Sequence, residues 1–196
     1  MSDWRDNYRA AGIPKRHQNF RTTDNESQHW AESYSKIKAV IHECGIAGVL
    51  GKRGTGKSQA AASAIGYTCQ DMGRNALYTK AFDVFLSIRN GNNANSETTE
   101  KQEVEKYLKP FLLVIDAFEV RGDTDFENRV LDHIIDRRYD AQRPTILISN
   151  EEKAPFIASV GVSTIDRLRE GGGLIEFTGE SFRGELNYRN NVGDEF

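Results

Sequence analysis

From residue 46 onward, short apolar runs alternate with longer segments whose apolar residues recur every three or four positions. Short continuous apolar runs predict buried β-strands, whereas the wider spacing predicts helices with one buried face. Such an alternation predicts an α/β domain with a parallel sheet and helices on both faces. The predicted strands are 46–50, 76–79, 111–115, 144–149 and 174–178.

The segments between these strands carry helix signals of their own. The helix 57–72 is expected to stop at Gly73, and Thr124 with Glu127 forms a capping box that starts the helix after the third strand. The Asn, Gly and Ser residues of 90–96 predict a loop tip between two further helices. The remaining helices are expected near 82–88, 98–108, 151–159 and 163–170.

The segment before the sheet has a different character. Trp4 and Tyr8 are four residues apart, which predicts a short helix with one aromatic face, packed either on its own domain or on a partner. After the break at residues 12–14, the segment 15–23 is expected to be an extended linker, and 25–44 returns to a helical period. We therefore divide the chain into an N-terminal segment and linker, 1–23, and one α/β domain, 24–196.

A glycine-rich stretch joins the first predicted strand to the helix that follows it. The residues 51–58 fit the pattern G-x-x-x-x-G-K-[ST] of a nucleotide phosphate-binding loop. Its backbone N–H groups and the N-terminus of the next helix can surround phosphate oxygens, while Lys57 reaches the β- and γ-phosphates and Ser58 offers its hydroxyl to Mg²⁺. The predicted nucleotide-binding residues of this stretch are Gly51, Gly54, Thr55, Gly56, Lys57, Ser58 and Gln59.

Polar residues follow two other apolar strands. Asp116 ends the third predicted strand and can hold Mg²⁺, although it could also be a solvated acid. Asn150 ends the fourth strand, where it can contact the γ-phosphate or cap the helix after it. Together with the phosphate loop, these positions predict chemistry on Mg-ATP or Mg-GTP.

The composition narrows the possible classes of protein. The net charge of −3 argues against a protein that coats nucleic acid with its whole surface, but it permits a local basic strip. The two cysteines and four histidines do not have zinc-ligand spacing. Neither a membrane span nor a secretory signal is recognisable, so the protein is expected to be cytoplasmic.

Several motifs occur in the order typical of one family. They are the phosphate loop, Leu112-Leu113-Val114-Ile115-Asp116, Asp136-Arg137-Arg138, Arg143-Pro144-Thr145, Ser149-Asn150, Asp166-Arg167-Leu168 and Ser181-Phe182-Arg183. Across about residues 12–184 the chain resembles the DnaC-type replicative helicase loaders, which are AAA+ ATPases with the IstB transposition helpers as close relatives. Residues 121–123 and 170–173 are similar to phage-encoded members, for which the expected location is the bacterial host cytoplasm.

The resemblance implies a role for each matching residue. Lys57 and Ser58 would bind phosphate and Mg²⁺, Asp116 would be the metal-side acid, and Asn150 would be sensor 1. Arg167 would be an arginine finger that reaches a neighbour's ATP, and Arg183 the sensor 2 arginine, although either could instead form a surface ion pair. Ile13 would lie near the adenine.

The resemblance also implies partners and an assembly. The protein would form a ring or spiral, of up to six subunits on a replicative helicase, and would bind single-stranded DNA. The candidate DNA contacts are Lys80, Arg89, the 90–96 tip, Phe126 and Arg129, and the candidate helicase-docking residues are Trp4 and Tyr8. Little or no C-terminal helical lid is expected after Arg183, so a neighbouring subunit would close the pocket.

One position departs from the family pattern. Ala117 stands where the family has the glutamate that orients the attacking water, so ATP hydrolysis is expected to be weak. Either the natural residue was replaced, or the natural protein is slow, or Glu119 substitutes. The leading hypothesis is an ATP-dependent helicase loader, and the alternative is an IstB-like helper that acts on duplex DNA. A small nucleotide kinase fits less well because a phosphoryl acceptor site is missing.

Overall fold

The apolar runs form the predicted parallel sheet. The computed structural model describes residues 3–18, 28–91 and 97–182. The strands are β1 (Ile46–Leu50), β2 (Ala76–Lys80), β3 (Leu112–Asp116), β4 (Thr145–Ser149) and β5 (Gly173–Glu176), in the order β2-β3-β4-β1-β5 with all pairs parallel. Because every strand runs the same way, their carboxyl ends meet at one edge of the sheet.

Helices cover both faces of this sheet. They are α1 (Trp4–Ala10), α2 (Lys15–Gln18), α3 (Gln28–His42), α4 (Lys57–Gln70), α5 (Ala81–Gly91), α6 (Glu100–Leu108), α7 (Asp125–Asp140), α8 (Lys153–Val160) and α9 (Val162–Gly171). A short 3₁₀ turn, Phe118–Val120, follows β3. The capping boxes predicted at Thr124 and found also at Thr99 start α7 and α6.

Two hydrophobic clusters pack on opposite faces of the sheet. One joins the sheet to α3 and α4, where small alanines let α4 approach the strands closely. The other joins it to α5, α7, α8 and α9. The central strands β1 and β4 are buried along their whole length, which explains their continuous apolar sequence. The five-stranded α/β prediction is therefore confirmed.

The described part of the N-terminal segment packs on this domain. Ala11 and Ile13 are buried in the cluster of α3 and α4, and Tyr8 packs against its edge. The N–H of Tyr78 donates to the carbonyl of Ala11 at 2.7 Å, which attaches residue 11 to β2. The prediction of an extended linker at 15–23 is wrong for Lys15–Gln18, which are helical, and residues 19–23 lie outside the described part.

The remaining differences are in the ends of elements. β3 includes Asp116, because its pairing with β2 continues to the Lys80 and Asp116 positions. β5 ends at Glu176 rather than residue 178. The loop tip predicted at 90–96 is wrong for Asn90 and Gly91, which are the last residues of α5, and residues 92–96 lie outside the described part. None of the helices described here is both long and apolar enough to cross a membrane.

Candidate nucleotide-binding site

The loop between β1 and α4 has the backbone geometry of a phosphate cradle. Gly54 and Gly56 have φ values of 90° and 91°, a left-handed region that glycine adopts without strain. A Cβ atom on Gly54 would lie 2.0 Å from Ser181 Oγ, and one on Gly56 would lie 2.6 Å from Trp30 Nε1. The loop therefore requires glycine at these positions, and α4 begins directly after it with its N–H groups facing the loop.

Lys57 is held at the centre of this loop. Its side chain is almost fully buried, and Nζ donates to the carbonyl oxygens of Gly51 and Lys52 at 2.6 and 2.8 Å. Nζ also donates to Oδ1 of Asn150 at 2.9 Å. The ammonium group is thus positioned between the phosphate loop and the end of β4, where it can exchange these neutral acceptors for phosphate oxygens.

Asp116, at the end of β3, accepts hydrogen bonds from two hydroxyl groups. Ser58 Oγ donates to Oδ2 of Asp116 at 2.9 Å, and the phenol of Tyr78 donates to the same oxygen. Burial and the charge of Asp116 raise the pKa of Tyr78, so the phenol keeps its proton. Hydroxyl and carboxylate oxygens are the donors that Mg²⁺ prefers, so Ser58 and Asp116 fit the ion that accompanies ATP.

Glu119 lies against the end of β4. Its carboxylate accepts hydrogen bonds from the backbone N–H of Asn150 at 3.2 Å, from the side-chain amide of Asn150, and from Ser149 Oγ at 3.4 Å. Asn150 in turn accepts from Lys57. A continuous polar chain therefore runs from the phosphate-loop lysine through Asn150 to Glu119.

These groups line one large cavity at the carboxyl edge of the sheet. Its volume is about 710 Å³, which is within the usual range for a small-molecule site. The indole N–H of Trp30 donates to the carbonyl oxygen of Gly56 at 3.3 Å. The backbone N–H of Phe182 donates to the carbonyl oxygen of Gly54 at 2.9 Å. Two aromatic side chains thus flank the phosphate loop.

The fold brings many of the predicted site residues together. The predicted residues that line the cavity are Gly54, Gly56, Lys57, Ser58, Gln59, Asp116 and Asn150. Gly51 and Thr55 shape the loop, since Gly51 accepts from Lys57 and the Thr55 hydroxyl donates to the carbonyl of Lys52 at 2.9 Å. Lys80, predicted as a DNA contact, also lines this cavity.

Other predicted residues lie elsewhere. Ile13 is buried in the core and does not line the cavity. Arg167 is on α9, where it pairs with Asp136 at 2.8 Å and lies 5.4 Å from the ring centre of Tyr139. Arg183 follows the last described residue.

Several cavity residues were not among the predicted site residues. Arg16, His17, Trp30 and Val120 come from segments without a nucleotide-binding motif, and Phe182 belongs to a family motif in which only Arg183 was given a role. Trp30 lies in the segment 25–44, whose spacing predicts only a helix, and Tyr78 looks like an ordinary strand residue. His17 Nδ1 lies 2.8 Å from Oε1 of Gln59, a contact across 42 residues that only folding creates.

The cavity geometry agrees with the comparison of this chain with known protein families. Residues 13–189 match the family described as IstB-like ATP binding protein. The chain belongs to this family. The replicative helicase loader DnaC of Escherichia coli (strain K12) is 28% identical over 189 residues, which cover 91% of this chain and 75% of DnaC.

Solved structures show the same fold as this IstB-like chain. A crystal structure of the DnaC helicase loader superposes with a TM-score of 0.70 at 17% identity, covering 83% of this chain and 99% of that one. AMPPCP-bound DnaA from Aquifex aeolicus superposes with a TM-score of 0.64 at 17% identity, covering 84% of this chain and 51% of DnaA. The fold is therefore that of the DnaC helicase loader and of DnaA, and the matching family is described as one of ATP-binding proteins.

The Tyr78 hydroxyl should influence how this IstB-like protein uses Mg²⁺. In Tyr78→Phe, Asp116 loses one of its donors and is held less firmly. We expect the Mg²⁺ concentration that half-saturates ATP binding to rise about tenfold, at the lower end for a hydrogen bond to a charged group. Titration of Mg²⁺ with a fluorescent ATP analogue measures this.

A matched control separates this effect from the loss of any phenol. Tyr67 on α4 bonds to His42 at 2.6 Å, away from the cavity, and Tyr67→Phe should leave the Mg²⁺ requirement unchanged. An unchanged requirement in Tyr78→Phe would mean that Tyr78 only fills space in the core.

Proposed function

We propose that this protein is an ATP-dependent loader of a replicative DNA helicase. The observation that carries this proposal is the similarity to the helicase loader DnaC over 91% of the chain, combined with a complete phosphate loop. ATP with Mg²⁺ would bind between Lys57, Ser58 and Asp116. Because replicative helicases and the DNA that they unwind are in the bacterial cytoplasm, the loader would work there.

ATP would control the assembly of subunits. Arg167 lies outside its own chain's cavity and is partly exposed on α9, which suits an arginine finger directed at a neighbour. Its partner Asp136 is nearly half exposed, and an ion pair of this kind is worth at most about 1 kcal/mol. Arg167 itself is 24% exposed and also donates to Ser163 on its own helix. It would exchange these partners for the γ-phosphate of a neighbour, and the subunits would form a ring or spiral.

Arg183 would complete the pocket from the C-terminal side. Phe182, the residue before it, is bonded through its backbone N–H to Gly54 of the phosphate loop. The place of Arg183 in the Ser181-Phe182-Arg183 motif supports it as the sensor 2 arginine, a role that Arg183→Ala would test through ATP affinity.

Single-stranded DNA would bind along α5 and the start of α7. Phe82 and Leu86 are 54% and 44% exposed and lie one turn apart on α5. The Arg89 guanidinium lies 5.3 Å from the ring centre of Phe126, and Arg129 is exposed one turn further along α7. Aromatic surfaces beside arginines are the combination that sequence-tolerant binding of single strands requires.

Hydrolysis would be slow because Ala117 replaces the expected glutamate. In the proposed function, ATP binding would close the subunit interface and hydrolysis would open it again. A loader with slow turnover would therefore remain bound to its helicase longer.

Co-purification with the replicative helicase tests the proposed function. A tagged chain incubated with the helicase and ATP should retain it, and negative-stain images should show rings stacked on rings. Failure to retain the helicase, combined with the formation of filaments on duplex DNA, would contradict the loader function and favour an IstB-like transposition helper.

Trp4 is the proposed anchor for the helicase. Tyr8 packs on its own domain, and its hydroxyl donates to the carbonyl of Gln18 at 3.2 Å, so Trp4 is the better candidate on α1. We expect Trp4→Ala to lose helicase retention at least tenfold while ATP binding stays unchanged, since buried aromatic anchors dominate interfaces. Full retention by this variant would move the docking site off α1.

A second candidate function rests on the matching family itself. The family is described as IstB-like ATP binding protein. An IstB-like transposition helper would bind ATP at the same site and would act on duplex DNA. The two functions differ in partner and in the form of DNA. Comparing affinities for single strands and duplexes in the presence of ATP distinguishes them.

A further inference from the structure

The chain reverses direction directly after β3. Ala117 has φ of 55°, in the left-handed region, and the turn Phe118–Val120 follows it. Ala117 and Glu119 both line the cavity, but the alanine carries no carboxylate. The carboxylate that this turn supplies to the site is therefore that of Glu119.

Two carboxylates line the cavity in the part of the chain described here, and they have different surroundings. Asp116 is occupied by Ser58, Tyr78 and the N–H of Ala117, the last at 2.7 Å. Glu119 also accepts three hydrogen bonds, two from Asn150 and one from Ser149. Because Asp116 is bonded to Ser58, its partner in the predicted Mg²⁺ site, Glu119 is the cavity carboxylate left to bind a water molecule, at the remaining one of about four lone-pair sites.

The connection to Lys57 indicates where that water would be. Lys57 donates to Oδ1 of Asn150, while the amide nitrogen of Asn150 donates to Glu119. Asn150 therefore holds Glu119 at the far side of the lysine that is expected to contact the γ-phosphate. A water bound to Glu119 would lie between its carboxylate and the terminal phosphate.

We propose that Glu119 is the catalytic base of ATP hydrolysis in this protein, in place of a residue at 117; this inference rests on the proposed ATP-driven function. Water bound to Glu119 adds its oxygen to the γ-phosphorus, and the bond from that phosphorus to the β–γ bridging oxygen breaks. ADP takes the bridging oxygen with its electron pair. One water proton goes to the Glu119 carboxylate and then to solvent, which leaves inorganic phosphate.

The test measures ATP turnover and ATP affinity side by side, on assembled protein with helicase and single-stranded DNA present. Glu119→Gln keeps the shape of the side chain but removes its basicity, and we expect turnover to fall about 100-fold. ATP affinity should stay within about threefold, since Lys57, Ser58 and Asp116 are untouched. The matched control is Glu151→Gln, because Glu151 also bonds Ser149 but does not line the cavity.

A second variant guards against a merely structural effect. The double variant Ala117→Glu with Glu119→Gln should hydrolyse ATP at least tenfold faster than Glu119→Gln alone, because it returns a carboxylate near the same water. Turnover of Glu119→Gln within twofold of the unchanged protein overturns the inference, and so does an unchanged protein that binds ATP without hydrolysing it. Failure of the helicase to co-purify contradicts the loader proposal instead, and leaves the turnover comparison valid.

Discussion

Replacing Lys57 by methionine should abolish ATP binding. The Lys57 ammonium is the buried cation at the centre of the phosphate loop, bonded to the carbonyls of Gly51 and Lys52 and to Asn150. Lys57→Met preserves the aliphatic stem but removes the charge that phosphate oxygens would meet. We expect ATP affinity to fall at least about 100-fold, or about 2.7 kcal/mol, as measured by calorimetry or a fluorescent ATP analogue.

A neighbouring lysine provides the control for this experiment. Lys52 belongs to the same loop, but its side chain is exposed and does not line the cavity. Lys52→Met should change ATP affinity less than threefold. Comparable losses in both variants would show that the loop attracts nucleotide by its overall charge rather than through the Lys57 position.

Replacing Arg138 by methionine should cause the largest loss of stability. Arg138 is fully buried, and its guanidinium donates to Thr145 Oγ1 at 2.8 Å and to a set of backbone carbonyls. The carbonyls belong to Tyr107, Leu108, Pro110, Phe111 and Pro144. One side chain thus joins the end of α6, the start of β3 and the start of β4.

The expected loss in the free energy of unfolding depends on the groups that lose their partner in Arg138→Met. Burial lowers the pKa of Arg138 to about 9, so keeping the charge inside has a cost, and its removal recovers part of it. Pro144 keeps the N–H of Leu113 as a donor and Leu108 keeps Arg143. The other carbonyls would lose the donor that Arg138 supplies inside the protein, which costs about 1–3 kcal/mol for each unsatisfied group. We expect a net loss of about 3–5 kcal/mol in the free energy of unfolding, measured by urea denaturation.

Arg137 provides the matched control on the same helix. Its side chain is exposed, so Arg137→Met should change the free energy of unfolding by less than about 0.5 kcal/mol. Arg138→Lys should recover only part of the loss, because an ammonium has three donors instead of five. If Arg138→Met and Arg137→Met unfold at the same urea concentration, the carbonyls find other donors in the variant.

Much of the fold could be predicted because its signals are local. Strands β1, β3 and β4 are continuous apolar runs, and the capping box at Thr124 marks the start of α7 at the residue where the helix begins. The ends of the elements were less predictable, since β3 gains Asp116 only through pairing with β2. The helix Lys15–Gln18 has no apolar periodicity of its own, and it was missed for that reason.

The site could be predicted only where a motif carries it. The Asp136-Arg137-Arg138 segment was recognised as part of a family pattern, but its sequence does not show which arginine is buried. Lys80 looked like a basic residue on a surface strand end, and the sheet places it beside Asp116 at the cavity. Charge alone therefore did not distinguish a DNA contact from a nucleotide contact.

The sequence by itself determined the phosphate loop, because glycine spacing, the lysine and the strand-to-helix setting are all contained in one stretch of chain. Only the tertiary structure decided what surrounds it. Tyr78 meets Asp116 across 38 residues, Glu119 meets Asn150 across 31, and Lys57 meets Asn150 across 93. These contacts arise because parallel pairing brings the carboxyl ends of distant strands to one edge, a result of long-range packing that no local pattern records.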